Sequence, residues 1–171
     1  MATNNSFNTP DRAKLEGFEI TFKNFSGRET NFNRAGNRNF SVVLDDDTAD
    51  QMKAEGWNVR IKEYDDGSRR NTLQVAIRYD IDRFRPKVVM VTPKGDHFKK
   101  TVLNEDTVDQ LDGARVVSAD LILNPSSWRN AMGNSGIKAY LQTGYFVVEA
   151  DEFENKYGDD DEFEDDSEVP F

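Results

Sequence analysis

Apolar residues in this chain recur mostly at every second position, the spacing of strands that bury one face. Phe18, Ile20 and Phe22 alternate with polar neighbours and predict a first strand over 18–25. A second is expected over 39–44, after a turn-rich loop (26–38) that carries Arg28, Arg34 and Arg38. The clearest hairpin joins 57–64 to 72–79. Trp57, Val59 and Ile61 share one face of its first arm, and Arg60, Lys62 and Tyr64 the other. Its second arm alternates Leu73, Val75, Ile77 and Tyr79 with Gln74, Ala76 and Arg78; the connection YDDGSRRN supplies an Asp-Gly turn with Arg69 and Arg70. Short strands follow over 87–92 and 97–103 around the turn PKGD, then a longer one over 115–123. Residues 124–135, with Trp128 and Arg129, read as a loop. The last strand, 136–149, places Ile137, Ala139, Leu141 and Thr143 on one face and Lys138, Tyr140 and Gln142 on the other.

Two segments have helical punctuation instead. DDDTADQMKAEGW offers Asp47 or Thr48 as an N-cap, acids for the first turn and Gly56 as a stop. NEDTVDQLDG offers Asn104 as a cap, with Val108 and Leu111 facing inward. Seven or eight short strands with two short helices predict an all-β chain, best fitted by a closed five-stranded Greek-key barrel with additions. The expected organisation is an arm over 1–16, one domain over 17–150 and a tail over 151–171.

Charge changes the picture. Of the 32 acids, eleven fall in 151–171, leaving 21 to balance the 21 cations of residues 1–150. The whole net charge of −10 therefore sits on the tail, DEFENKYGDDDEFEDDSEVPF. Like-charge repulsion and scarce apolar residues predict that it is disordered when free. Such a block can serve only to solubilise. Phe153, Phe163 and Phe171, spaced among the acids, favour a sharper reading: a flexible mimic of single-stranded nucleic acid.

Several chemistries drop out. The chain has no Cys and one His, His97, which removes disulfides, thiol nucleophiles and multi-His metal sites. Asp45, Asp46 and Asp47 suit a helix start better than a metal. No phosphate-binding loop, dinucleotide fingerprint or nucleophile elbow is present. A carboxylate-based metal nuclease keeps only scattered candidates such as Asp80, Asp82 and Asp120. No enzyme activity, cofactor or metal is expected. No apolar run reaches the length of a membrane span, and the polar N-terminus is unlike a signal peptide, so the expected compartment is the cytoplasm.

Cations and aromatics recur together. Arg60, Lys62 and Tyr64 face outward across from Arg78, with Arg69 and Arg70 in the turn. Arg83, Phe84, Arg85 and Lys87 lie in the segment RFRPK; Lys99 and Lys100 follow Phe98; Trp128 and Arg129 precede Lys138 and Tyr140. Sequence-tolerant capture of single strands uses cations along the phosphates and ring faces for the bases. The same residues also suit solvated strand faces, with Trp57, Phe98 and Trp128 in the core. The ensemble favours binding.

The segments WNVRIKEY, LQVAIRY, RPKVVMVT, DLILNPSSW and GIKAYLQTGYFVVE resemble bacteriophage single-stranded DNA-binding proteins with an OB-fold, across about 17–150. That resemblance implies coating of single-stranded DNA in replication, recombination or repair. It also implies a tail that recruits partner proteins such as a polymerase, helicase or nuclease, through Asp159, Asp160, Asp161, Phe163, Pro170 and Phe171. Host cytoplasm is then the expected location. A neutral body departs from the basic one such proteins suggest. A homodimer through the tail or a strand edge is compatible with the sequence. The alternative function is an acidic DNA mimic that binds a host DNA-binding enzyme and never touches DNA.

Overall fold

The structure, a computed structural model, describes residues 10–80 and 85–149. The expected tail and the first nine residues of the expected arm lie outside these, as do Arg83 and Phe84.

Eight strands and two helices occur in the order β1 (Ala13–Asn24), β2 (Arg38–Leu44), α1 (Asp46–Ala54), β3 (Val59–Glu63), β4 (Arg69–Ile77), β5 (Lys87–Lys94), β6 (His97–Leu103), α2 (Gln110–Gly113), β7 (Val116–Arg129) and β8 (Ser135–Val148). β1 pairs with β2 and β7, β2 with β4, and β7 with β8, all antiparallel. A short parallel pairing, Val75 with Ala139 and Ala76 with Tyr140, joins β4 to β8 and closes the ring β1-β2-β4-β8-β7. This is an OB-fold-like Greek-key barrel, as expected. β3 widens it beside β4, and the β5–β6 hairpin extends it through a parallel β5–β8 pairing.

The alternating apolar positions meet inside the ring. Phe25, Phe40 and Phe146, fully buried, pack with ring centroids 5.3–5.4 Å apart, one pair stacked and two edge-on. Leu73, Val75, Leu121, Leu123, Ala139 and Leu141 surround them. Trp57 is core, and its indole N–H donates to Glu55.

Several local expectations need correction. The first strand begins at Ala13, so residues 13–16 belong to β1 and not to an arm. Leu15, buried against the core, pairs with Leu121. The alternation breaks at Gly17 (φ 72°), where the ladder shifts and Asp120 accepts the Gly17 N–H at 2.7 Å. A second shift, between Thr21 and Asn24, turns Phe22 outward, and Phe25 takes the inward place.

The cap of α1 is Asp45, whose Oδ2 accepts from the Thr48 N–H at 3.1 Å. Asp46 and Asp50 bind Arg69, so two of the three acids at this helix start, Asp45 and Asp46, are already engaged. The N-cap position of α2 is Asp109, not the expected Asn104, and it makes no side-chain cap bond. Asn104 accepts from the Asp106 and Thr107 N–H groups in the turn ahead of the helix, and Val108 and Leu111 are fully buried as expected.

The expected loop over 124–135 is mostly strand. β7 continues to Arg129, and only Asn130–Asn134 turn, closed by the Asn130 N–H on the Asn134 carbonyl. Pro125 concealed this. It interrupts no described pairing with β1, whose ladder ends at Ala13 opposite Leu123. In β8 the inward set is Ile137, Ala139 and Leu141, then Gly144, Phe146 and Val148. The phase slips at Gln142, which the ladder skips, so Thr143 leaves the face assigned to it.

Candidate nucleic-acid interface

Among the described residues, the outer faces of β2, β3 and β4 open onto cavities. Three open cavities, of about 710, 440 and 670 Å³, follow one another across them. The first and second share Phe22, Arg60 and Thr72; the second and third share Phe32, Asn33, Asn39 and Gln74. They form one continuous furrow.

Its floor is polar backbone-facing sheet: Asn39 and Ser41 from β2, Thr72 and Gln74 from β4. Its walls are cationic. Lys62, Arg70 and Arg60 stand at one end, Arg28 in the middle, and Arg34, Arg38, Arg78 and Lys138 at the other. Against these eight cations the described lining holds two acids, Asp80 and Glu105. Lys23 also lines the furrow, but its ammonium donates to the Leu111 and Ala114 carbonyls. Burial pushes its pKa down, partly offset by Asp112. Its role is to tie β1 to α2.

Three rings stand in or over the furrow: Phe22, 69% exposed; Phe32, 98%; and Tyr64, 44%. Phe22 is the one described non-glycine residue with positive φ, at 50°. A side chain held there is strained, and strain of this kind clusters at functional sites. Phe32 sits in the β1–β2 connection, which is stiffly built. Asp112 accepts from the Phe25 and Ser26 N–H groups at 2.7 and 2.9 Å. The Asn33 side-chain amide donates to the Arg28, Arg34 and Asn37 carbonyls. Gly27 must be glycine: its φ is 73°, and an added Cβ would lie 3.0 Å from the Gly36 carbonyl carbon.

At the far end, the Arg78 guanidinium grips Asp80 bidentately, at 2.9 and 2.7 Å. Hydrogen bonding to Arg78 holds the Asp80 carboxyl below the usual range, and the same bond raises Arg78. Arg38 lies over the Tyr79 ring, 5.5 Å from its centroid, and its Nε has no hydrogen-bond partner among the described residues.

Of the cations and rings singled out from sequence, Arg60, Lys62, Tyr64, Arg70, Arg78 and Lys138 are brought together. Tyr140 is beside them, its ring under the Lys138 ammonium at 5.3 Å. Others are elsewhere. Arg69 is turned onto α1, bonded to Asp50 and Asn71. Lys87 lies over Tyr145, toward the opposite end of β8. Lys99 and Lys100 are on β6, beyond β5. Trp128 and Arg129 are on the β7–β8 arm, where Trp128 closes over Gly136. Arg85 leads into β5 and lines none of the three cavities. Phe22, Phe32, Arg28, Arg34 and Arg38 were not singled out as site residues. The loop's three arginines were a visible signal; the outward turn of Phe22 had none.

A cation-walled furrow with exposed rings, laid across an OB-type barrel, defines a binder of single-stranded nucleic acid. The profile of the family described as "Putative phage ssDNA-binding domain" matches residues 3–169. The chain belongs to this phage single-stranded DNA-binding family. The family is one of binding proteins, not enzymes. No curated protein matches the chain. Among solved structures, gp2.5, a single-stranded DNA binding protein encoded by bacteriophage T7, is similar over 82% of this chain and 88% of its own, with 10% identity and a TM-score of 0.44. No helix among the described residues is long and apolar enough to cross a membrane.

Proposed function

We propose that the protein coats single-stranded DNA without regard to sequence, along the Arg60-to-Lys138 furrow, in phage DNA replication, recombination or repair. The observation that carries this reading is the sorting of charge. Residues 1–150 are neutral as a whole, yet eight cations besides Lys23, and two acids, line one continuous track. Cations follow the phosphates; Phe22, Phe32 and Tyr64 offer faces to the bases. The floor presents amides and hydroxyls. A DNA mimic that never touches DNA has no use for such a track.

The acidic segment 151–171 competes with DNA for the furrow and, once displaced, engages replication or recombination proteins. Its eleven acids and three Phe residues imitate phosphates and bases. Deleting 151–171 is expected to tighten binding to oligo-dT, most at low salt, where an intramolecular polyanion is least screened. A gel-shift titration of full-length and truncated protein reads this directly. Equal affinities would remove the competition while leaving furrow binding in place.

The Arg78–Asp80 pair acts in the same direction on a smaller scale. A phosphate approaching Arg78 competes with a carboxylate that already holds its Nε and one Nη. Asp80→Asn is expected to tighten oligo-dT binding severalfold at low salt, measured by fluorescence anisotropy. No gain would mean that Asp80 does not compete with phosphate at Arg78.

A further inference from the structure

The β5–β6 hairpin is the part of the molecule that the furrow leaves unused. β6 is the edge of the sheet, and among the described residues it pairs only with β5. Unprotected edges accept another strand. One face of β6 carries Phe98 and Val102, 61% and 70% exposed, with Lys100 between them; His97 and Lys99 alternate on the other. Across residues 87–103 there are four lysines and one acid, Asp96. This strip suits an extended segment that is both acidic and aromatic.

The chain itself carries one, and topology delivers it there. β8 runs parallel to β5, with Val91 opposite Val147, so the chain leaves β8 beside the β5–β6 turn. β6 begins at His97, opposite Lys94, two strand spacings away, or about 10 Å. The furrow residue of the same strand, Lys138, lies ten residues back from Val148, roughly 33 Å at the usual rise per residue. β6 then runs opposite to β8, back toward the furrow end.

We propose that the β6 edge, through Phe98, Lys99, Lys100 and Val102, docks the acidic segment 151–171 of the same chain as an added strand. The segment's acids face the lysines, and a Phe covers Phe98 and Val102. Docking steers the segment along β6 toward the furrow. This concerns a surface distinct from the DNA track, and its main readout needs no DNA.

Hydrogen exchange of the full-length protein is compared with that of the protein lacking 151–171. Amides of 97–103 are expected to be protected at low salt and to exchange at least tenfold faster after deletion or in 0.5 M salt. Lys99→Glu with Lys100→Glu in the full chain should reproduce the loss, and Phe98→Ala part of it, with the melting temperature of the barrel unchanged. Identical exchange of 97–103 with and without 151–171 overturns the proposal. Protection that grows with protein concentration also overturns it, in favour of a second copy. So does a large drop in oligo-dT affinity on introducing the two Glu substitutions into the truncated protein, which would make the strip a DNA track.

Discussion

Replacing Phe22 with glycine is expected to separate DNA binding from stability. The Phe22 ring is 69% exposed over the furrow, so its removal costs the fold little burial. Its backbone, at φ 50°, is in the left-handed region, where a side chain costs about 1–2 kcal/mol that glycine does not incur. Glycine in turn loses about 0.5–1 kcal/mol of chain entropy on folding. The two nearly cancel, and the midpoint of urea unfolding should move little in either direction. Binding should not be spared. A base stacked on an aromatic ring is worth about 1–3 kcal/mol, so oligo-dT affinity should fall roughly 5- to 150-fold. Phe22→Trp keeps a ring face and should retain most of the affinity. Unaltered affinity in the glycine variant would show that the strained ring is not a base platform. A large loss of stability would show instead that it packs.

The second large effect is on salt. If about six of the eight lining cations each neutralise a phosphate, log affinity for single strands should fall with log salt at a slope near −4. Between 50 and 200 mM salt that is roughly a 300-fold loss. Arg60, which joins two of the three cavities, sits where the track is continuous. Arg60→Ala should therefore weaken binding and make the slope shallower by about 0.7. The truncated protein gives the cleaner measurement, because the acidic segment competes best at low salt and flattens the curve of the full chain. Anisotropy across a salt series, on single-stranded and duplex oligonucleotides, supplies the slopes. A slope shallower than about −1 would mean that the furrow does not track a phosphate chain, whatever its charge.

Much of the site was legible because strand alternation is a local property. Arg60, Lys62 and Tyr64 had to face away from Val59 and Trp57, and Arg78 away from Ile77. Lys138 had to oppose Ile137 and Ala139. The same rule was equally true of Lys99 and Lys100, and there it misled. Alternation says that a residue points outward; it does not say onto which outer face. β6 joins the ring only through β5 and β8, and its lysines line none of the three cavities. Arg69 failed for a related reason. Its neighbours Asp46 and Asp50 are distant in sequence, and only the packing of α1 on β4 brings them within 3.4 Å.

The sequence by itself determined the strands of the barrel, the presence of two short helical segments, the main hairpin and the division into a neutral body and an acidic segment. Each of these follows from residues within a few positions of one another. Tertiary structure alone decided how far β1 and β7 extend, which way Phe22 turns and where the track lies. A strand's phase after a bulge depends on the register of its partner: Phe22 leaves the core because Thr21 and Asn24 span a place where β2 offers one residue fewer. The furrow, likewise, comes into being only when the β4–β8 pairing closes the ring and sets Lys138 beside Arg78.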